Sequence, residues 1–78
     1  MSQPIVPLSA VPTGRWVRII AIYAGWGLAR RLYEMGLLPG SMVFVEYNDG
    51  RGQVIIRVRG YRLGLGRGVA AKVMVQVI

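Results

Sequence analysis

Of the side chains that perform most enzyme chemistry, this 78-residue sequence holds very few. It has no histidine, no cysteine and three acids, Glu34, Glu46 and Asp49. Without His or Cys, neither a Ser–His nor a Cys–His nucleophile can be assembled. The acids fall on a helix, a strand and a hairpin tip, so a general acid–base pair among them would be accidental. A tight transition-metal site needs imidazole, thiolate or several converging carboxylates, and these are missing too. The glycine run Gly64-Leu65-Gly66-Arg67-Gly68 has the spacing of neither the dinucleotide fingerprint nor the P-loop, and no Lys-Ser/Thr pair follows it. The expectation is a chain that is not an enzyme, with no catalytic residue, no cofactor and no metal ligands of its own.

What the sequence offers instead is positive charge. Nine Arg and one Lys against three acids give a net charge of +7. That balance favours an acidic partner (nucleic acid, anionic headgroups or an acidic protein face), although a solvated basic surface satisfies it equally. The candidate binding residues form two groups, Arg30, Arg31 and Glu34 on a helix, and Arg57, Arg59 and Arg62 around Tyr61. Basic residues interleaved with aromatics hold single-stranded nucleic acid by charge and stacking, but one Tyr is no stacking platform. Arg, Tyr and Trp are also the usual anchors of a protein-docking face. Trp16 and Trp26 lie elsewhere in the sequence and are read as candidates for the core. A groove for Pro-rich ligands would need clustered aromatics, and these are scattered.

The elements that must position these residues are mostly strands. One helix stands out, in the segment Gly27 to Ser41. Leu28, Leu32 and Met35 share one face, while Arg30, Arg31 and Glu34 point elsewhere. Gly36 suits a left-handed helix stop covered by Leu37 or Leu38, and Pro39-Gly40 suits a type II turn. Strands are expected at 15–23, 42–47, 53–59, 61–65 and 73–77, with a hairpin at Asn48-Asp49-Gly50-Arg51-Gly52 and a turn or single helical turn at 66–72. Five short strands and one helix between the first two point to a small bent antiparallel barrel. The chain reads as a single domain, 1–78, with 1–7 as a flexible N-terminal tail. The longest uncharged run, Ile19 to Ala29, is too short to span a bilayer, so the 54% hydrophobic content is assigned to a dense core. No basic-then-apolar leader opens the sequence, and a Cys-free chain suits a reducing cytosol. Exposed strand edges leave a homodimer or trimer open.

The ordered residues Leu28-x-Arg30-Arg31-Leu32-x-x-Met35-Gly36-Leu37-x-Pro39-Gly40, with the Gly14 opening before them and Val58-x-Gly60-Tyr61-x-Leu63-x-Leu65 after them, resemble the FeoA family over about Leu8 to Val77. The resemblance implies a mainly β fold, a small SH3-like antiparallel barrel of about five strands with one short α-helix between strands one and two. It implies a cytoplasmic accessory module of ferrous iron transport that docks on FeoB, the GTPase-bearing membrane protein of bacterial ferrous iron uptake, reaching the inner membrane only through that partner. Related barrels form the C-terminal domain of DtxR-type repressors. The family is linked to transition metals, and the missing ligands agree with a member that is not itself the iron carrier. Binding of nucleic acid through the Arg-rich face is the alternative. Gly64, Gly66 and Gly68 depart from the Ala and charged residues usual in the family, which weakens the expected short helix there by about 1 kcal/mol per Gly.

Overall fold

β-Branched residues at alternating positions build six strands in the computed structural model, which describes residues 4–78: β1 (Ile5–Pro7), β2 (Trp16–Ile22), β3 (Met42–Tyr47), β4 (Val54–Val58), β5 (Tyr61–Leu65) and β6 (Val73–Val77). They form one antiparallel sheet in the order β1-β6-β2-β3-β4-β5. The inward residues of the strands, Val17, Ile19, Val43, Val45, Val54, Ile56, Val58, Leu65, Val73 and Val75, are buried. Leu8 and Val11 near the N-terminus, Leu32 and Leu37 near the helix end, and Ala70 of α2 (Arg67–Ala70) complete the core. Each such Val, Leu or Ile contributes about 1.5–3 kcal/mol relative to an exposed position.

The expected barrel is thus confirmed with one strand more. Ile5–Pro7 pairs with β6, Ile5 opposite Gln76 and Pro7 opposite Met74, so this part of the expected tail is structured. Residues 1–3 lie outside the described residues. A three-residue strand ending in Pro has little sequence signature, because Pro removes a ladder donor and is tolerated only at a sheet edge. Leu8–Ala10 then forms a single 3-10 turn.

The helix α1 (Trp26–Glu34) begins two residues before Leu28 and buries Ala29 and Leu32. Its C-terminus closes as a Schellman motif: the Gly36 N–H bonds Tyr33 O at 2.9 Å and the Leu37 N–H bonds Leu32 O at 2.9 Å. Gly36 has φ +98°, and the fully buried Leu37 covers the helix end, as this motif requires. The type II turn follows, with Gly40 at φ +91° and the Ser41 N–H on Leu38 O at 2.9 Å. It is stitched into β2, since the Gly40 N–H bonds Ile19 O and the Ile19 N–H bonds Ser41 O.

Two irregularities interrupt the ladders. The β2–β6 register shifts between Ile19 and Ala21, and the β3–β4 register shifts between Val45 and Tyr47. The extra residues are Ile20 and Glu46, and a bulge of this kind re-aims a side chain. The second bulge shapes the outer face of the sheet.

Candidate protein-docking surface

Strand alternation sends Trp16 outward, because its neighbour Val17 is buried. Antiparallel register then lays one row across four strands, with Ile78, the residue after β6, at its end. Ile78 donates its N–H to Trp16 O, Trp16 faces Phe44, Phe44 faces Arg57, and Arg57 faces Arg62. The Trp16 and Phe44 rings lie 5.2 Å apart at 56°, a tilted contact favoured by their quadrupoles. Trp16 is nevertheless 51% exposed. A second outward row places Ile5 opposite Gln76, Gln76 opposite Arg18 and Arg18 opposite Met42. Ile5, Met42 and Ile78 are also exposed. One side of this face is therefore aromatic and aliphatic, and the other is basic.

Glu46 organises the basic side. As the extra residue of the β3 bulge it meets both arginines, with Arg57 Nη2 donating to Oε1 at 2.8 Å and Arg62 Nε 2.7 Å from Oε2. The Arg62 N–H is poorly aimed, so that second contact is chiefly coulombic. The hydrogen bond from Arg57, with the charges of Arg57 and Arg62, holds the Glu46 carboxyl below the usual carboxylate range, against an opposing desolvation. Two guanidiniums are thereby gathered around one carboxylate on the surface, Arg57 by a hydrogen bond and Arg62 by charge.

The six residues singled out in the sequence do not converge on one site. Arg57 and Arg62 meet at Glu46. Arg59, in the β4–β5 turn, lays its side chain against Gly36: a Cβ there would stand 3.3 Å from its Nε. Tyr61 donates its hydroxyl to Met35 O, so this turn closes the C-terminal end of α1, where a cation is favoured by the helix dipole. Arg30 and Glu34 form a loose pair at 4.0 Å, both two-thirds exposed, of a kind worth a few tenths of a kcal/mol at most. Arg31 is exposed on the same helix. Trp16 and Trp26 are surface residues, not core: Trp26 is 71% exposed and packs edge-on against Tyr33 at 6.4 Å. Trp16, Phe44 and Glu46, which join this candidate surface, are not among the six. The strict alternation of Trp16 with Val17 and Ile19 was the available signal for the first of them.

A polar knot lies elsewhere, at the hairpin tip. The Asn48 amide donates to Ser9 O at 3.0 Å and Val11 O at 2.7 Å, and its oxygen accepts from Gly50 N–H and from Arg67. Arg67 also donates to Ser9 O at 2.9 Å, and Thr13 Oγ1 exchanges hydrogen bonds with the Asn48 backbone. Asp49 accepts the N–H groups of Gly52 and Arg51, which lower its pKa. Two of the three acids are thus engaged structurally. Among the described residues no group of three or more His, Cys, Asp or Glu side chains could hold a metal ion. No helix among them is long and apolar enough to cross a membrane.

The FeoA domain model matches residues 6–77, nearly the full chain. The chain belongs to the FeoA family. A protein of Methanocaldococcus jannaschii with the provisional name Fe(2+) transport protein A is 40% identical over 70 residues, covering 90% of this chain and 84% of that one. The crystal structure of an iron uptake regulatory protein, FeoA, superposes with a TM-score of 0.86 at 33% identity, covering 96% of this chain and 99% of that one. A FeoA-like protein of Clostridium acetobutylicum gives 0.83 at 26% identity, covering 100% and 91%. In this FeoA-family chain the exposed row spans four of the six strands, with Ile78 just past β6 at its end.

Proposed function

We propose that this chain is an accessory module of ferrous iron uptake that docks, through the outer face of its sheet, on the cytoplasmic part of a FeoB-type transporter. The observation that carries this reading is the row Ile78–Trp16–Phe44–Arg57–Arg62. An exposed Trp beside ordered arginines is the composition of a binding hot spot. Because Glu46 already restrains two arginines, less side-chain entropy remains to be lost on docking. Family membership and the names of its relatives point to iron transport as the setting. The chain supplies a surface, and the carriage of iron and the hydrolysis of GTP belong to the partner. Nucleic acid is the weaker reading, because half of the row is aromatic and aliphatic, with Trp16 and Ile78 exposed, and a phosphate backbone gains its affinity from charge.

The test is calorimetric titration of the isolated GTPase domain of a FeoB-type protein from the same organism into the full chain. Saturable binding is expected, with Trp16→Ala weakening it at least tenfold, a loss of about 1.4 kcal/mol. An equal loss from Arg30→Ala/Arg31→Ala, with Trp16→Ala harmless, would move the docking face to the helix. Unchanged ferrous uptake in cells deleted for this gene alone would remove the accessory role.

A further inference from the structure

The sheet ends in two unlike edges. β1 is three residues long and bracketed by Pro4 and Pro7, devices that deny an edge to a further strand. β5 has neither. It runs five residues without proline, in unbroken register with β4, and among the described residues β4 is its sole strand partner.

The turn before β5 fixes which of its backbone groups face outward. Arg59 at φ +50° and Gly60 at φ +85° link the paired residues Val58 and Tyr61. This is a two-residue turn of type I′. The pair that closes such a turn exchanges both backbone hydrogen bonds, and bonded and non-bonded pairs then alternate. Tyr61, Leu63 and Leu65 therefore bond toward β4, whereas the N–H and C=O groups of Arg62 and Gly64 point away from the sheet. Both residues are exposed. Arg62 lies on the edge itself, Arg57 is opposite it on β4, and Glu46, the acid that meets both, is engaged by them.

We propose that the β5 edge takes an extended acidic segment of a partner protein as a seventh strand. Its backbone bonds Arg62 and Gly64, and a carboxylate in line with the Arg62–Arg57 row meets those guanidiniums. Main-chain pairing of this type supplies affinity, and the side chains on alternate positions supply specificity. A second copy is the poorer occupant, since pairing two β5 edges would bring the same arginines of two +7 chains together. The inference deepens the docking reading by naming the partner's chemistry, yet it stands on the edge geometry and not on the Trp16 row.

The test is an amide NMR titration of the full chain with a capped nonapeptide alternating Glu and Thr, with the matching Lys/Thr peptide as control. Saturable shifts greatest at the Arg62 and Gly64 amides are expected for the acidic peptide alone. Gly64→Pro removes an outward N–H on an edge strand, with its Cβ 2.9 Å from Gln53 Oε1 so that the end of that side chain must shift, and should weaken binding at least tenfold. Arg62→Glu should do the same while keeping every backbone donor, so a folding defect in the first variant leaves the second decisive. Absence of shifts, shifts centred on Trp16 or α1, or equal binding of the Lys/Thr peptide would overturn the proposal. So would self-association in sedimentation that Gly64→Pro abolishes, which would assign the edge to a second copy. Binding of the GTPase domain that Trp16→Ala abolishes and Gly64→Pro spares would defeat this inference and keep the docking reading. Peptide binding without any GTPase-domain binding would do the reverse.

Discussion

Glu46 takes its orientation from a backbone irregularity and its charge state from two arginines. Together with Asp49, whose carboxylate accepts two backbone N–H groups at the hairpin tip, it is held below the ordinary carboxylate range. Both groups bind a proton more readily in the unfolded chain. Their contribution to stability is therefore complete above the unfolded value of about 4 and is lost as the pH falls through the folded value. The melting temperature should decline as the pH falls from about 5 to about 2, and the decline should shrink in Glu46→Gln/Asp49→Asn. Thermal melts followed by circular dichroism across that range check this. In the sequence Glu46 was visible as a strand residue, but its two partners were not. The extra residue of a bulge looks like any other member of an alternating run, so counting by twos aims everything after it at the wrong face. Trp16, expected as a core candidate, stands outside because Val17 and Ile19 on the opposite face are buried, an alternation the sequence itself carries.

The end of α1 was the most readable element, because its chemistry is local. Gly36, Leu37, Pro39 and Gly40 each have one conformational role, and the structure uses all four. Gly36 is also closely packed: a Cβ there would stand 3.2 Å from Val58 Cγ1. Gly36→Ala should destabilise the fold by about 1–2 kcal/mol, the usual penalty for a left-handed non-Gly residue, with a further increment from this contact. Urea denaturation with an unchanged m-value would show the effect. β1 was illegible for the opposite reason. Its place in the sheet depends on β6, at the other end of the chain, and two residues between prolines carry no pattern of their own. α2 forms in spite of Gly68 because Ala70 is buried in the core, a tertiary contact that outweighs helix propensity.

On the scale of the whole molecule, stability is marginal, on the order of 4–12 kcal/mol for a chain of this length. Leu32, fully buried where the helix meets the core, should be among its most sensitive positions. Leu32→Ala should lose about 2–5 kcal/mol, enough to lower the thermal midpoint by many degrees in a calorimetric scan. The barrel class could be read from strand number and spacing, whereas the strand order and the row on its outer face required the register. The polar knot at Asn48 has a different kind of reach. It joins the 3-10 turn, the hairpin tip and α2, with Ser9 and Arg67 separated by 58 positions. Such a contact can close only after the intervening strands are paired, since loops of that span are slow to form. Asn48→Ala should therefore steer the kinetics in one direction, accelerating unfolding while leaving the refolding limb of a chevron plot almost unchanged. That outcome would make the knot a latch fastened last, one that governs how long the folded molecule persists more than how quickly it is reached.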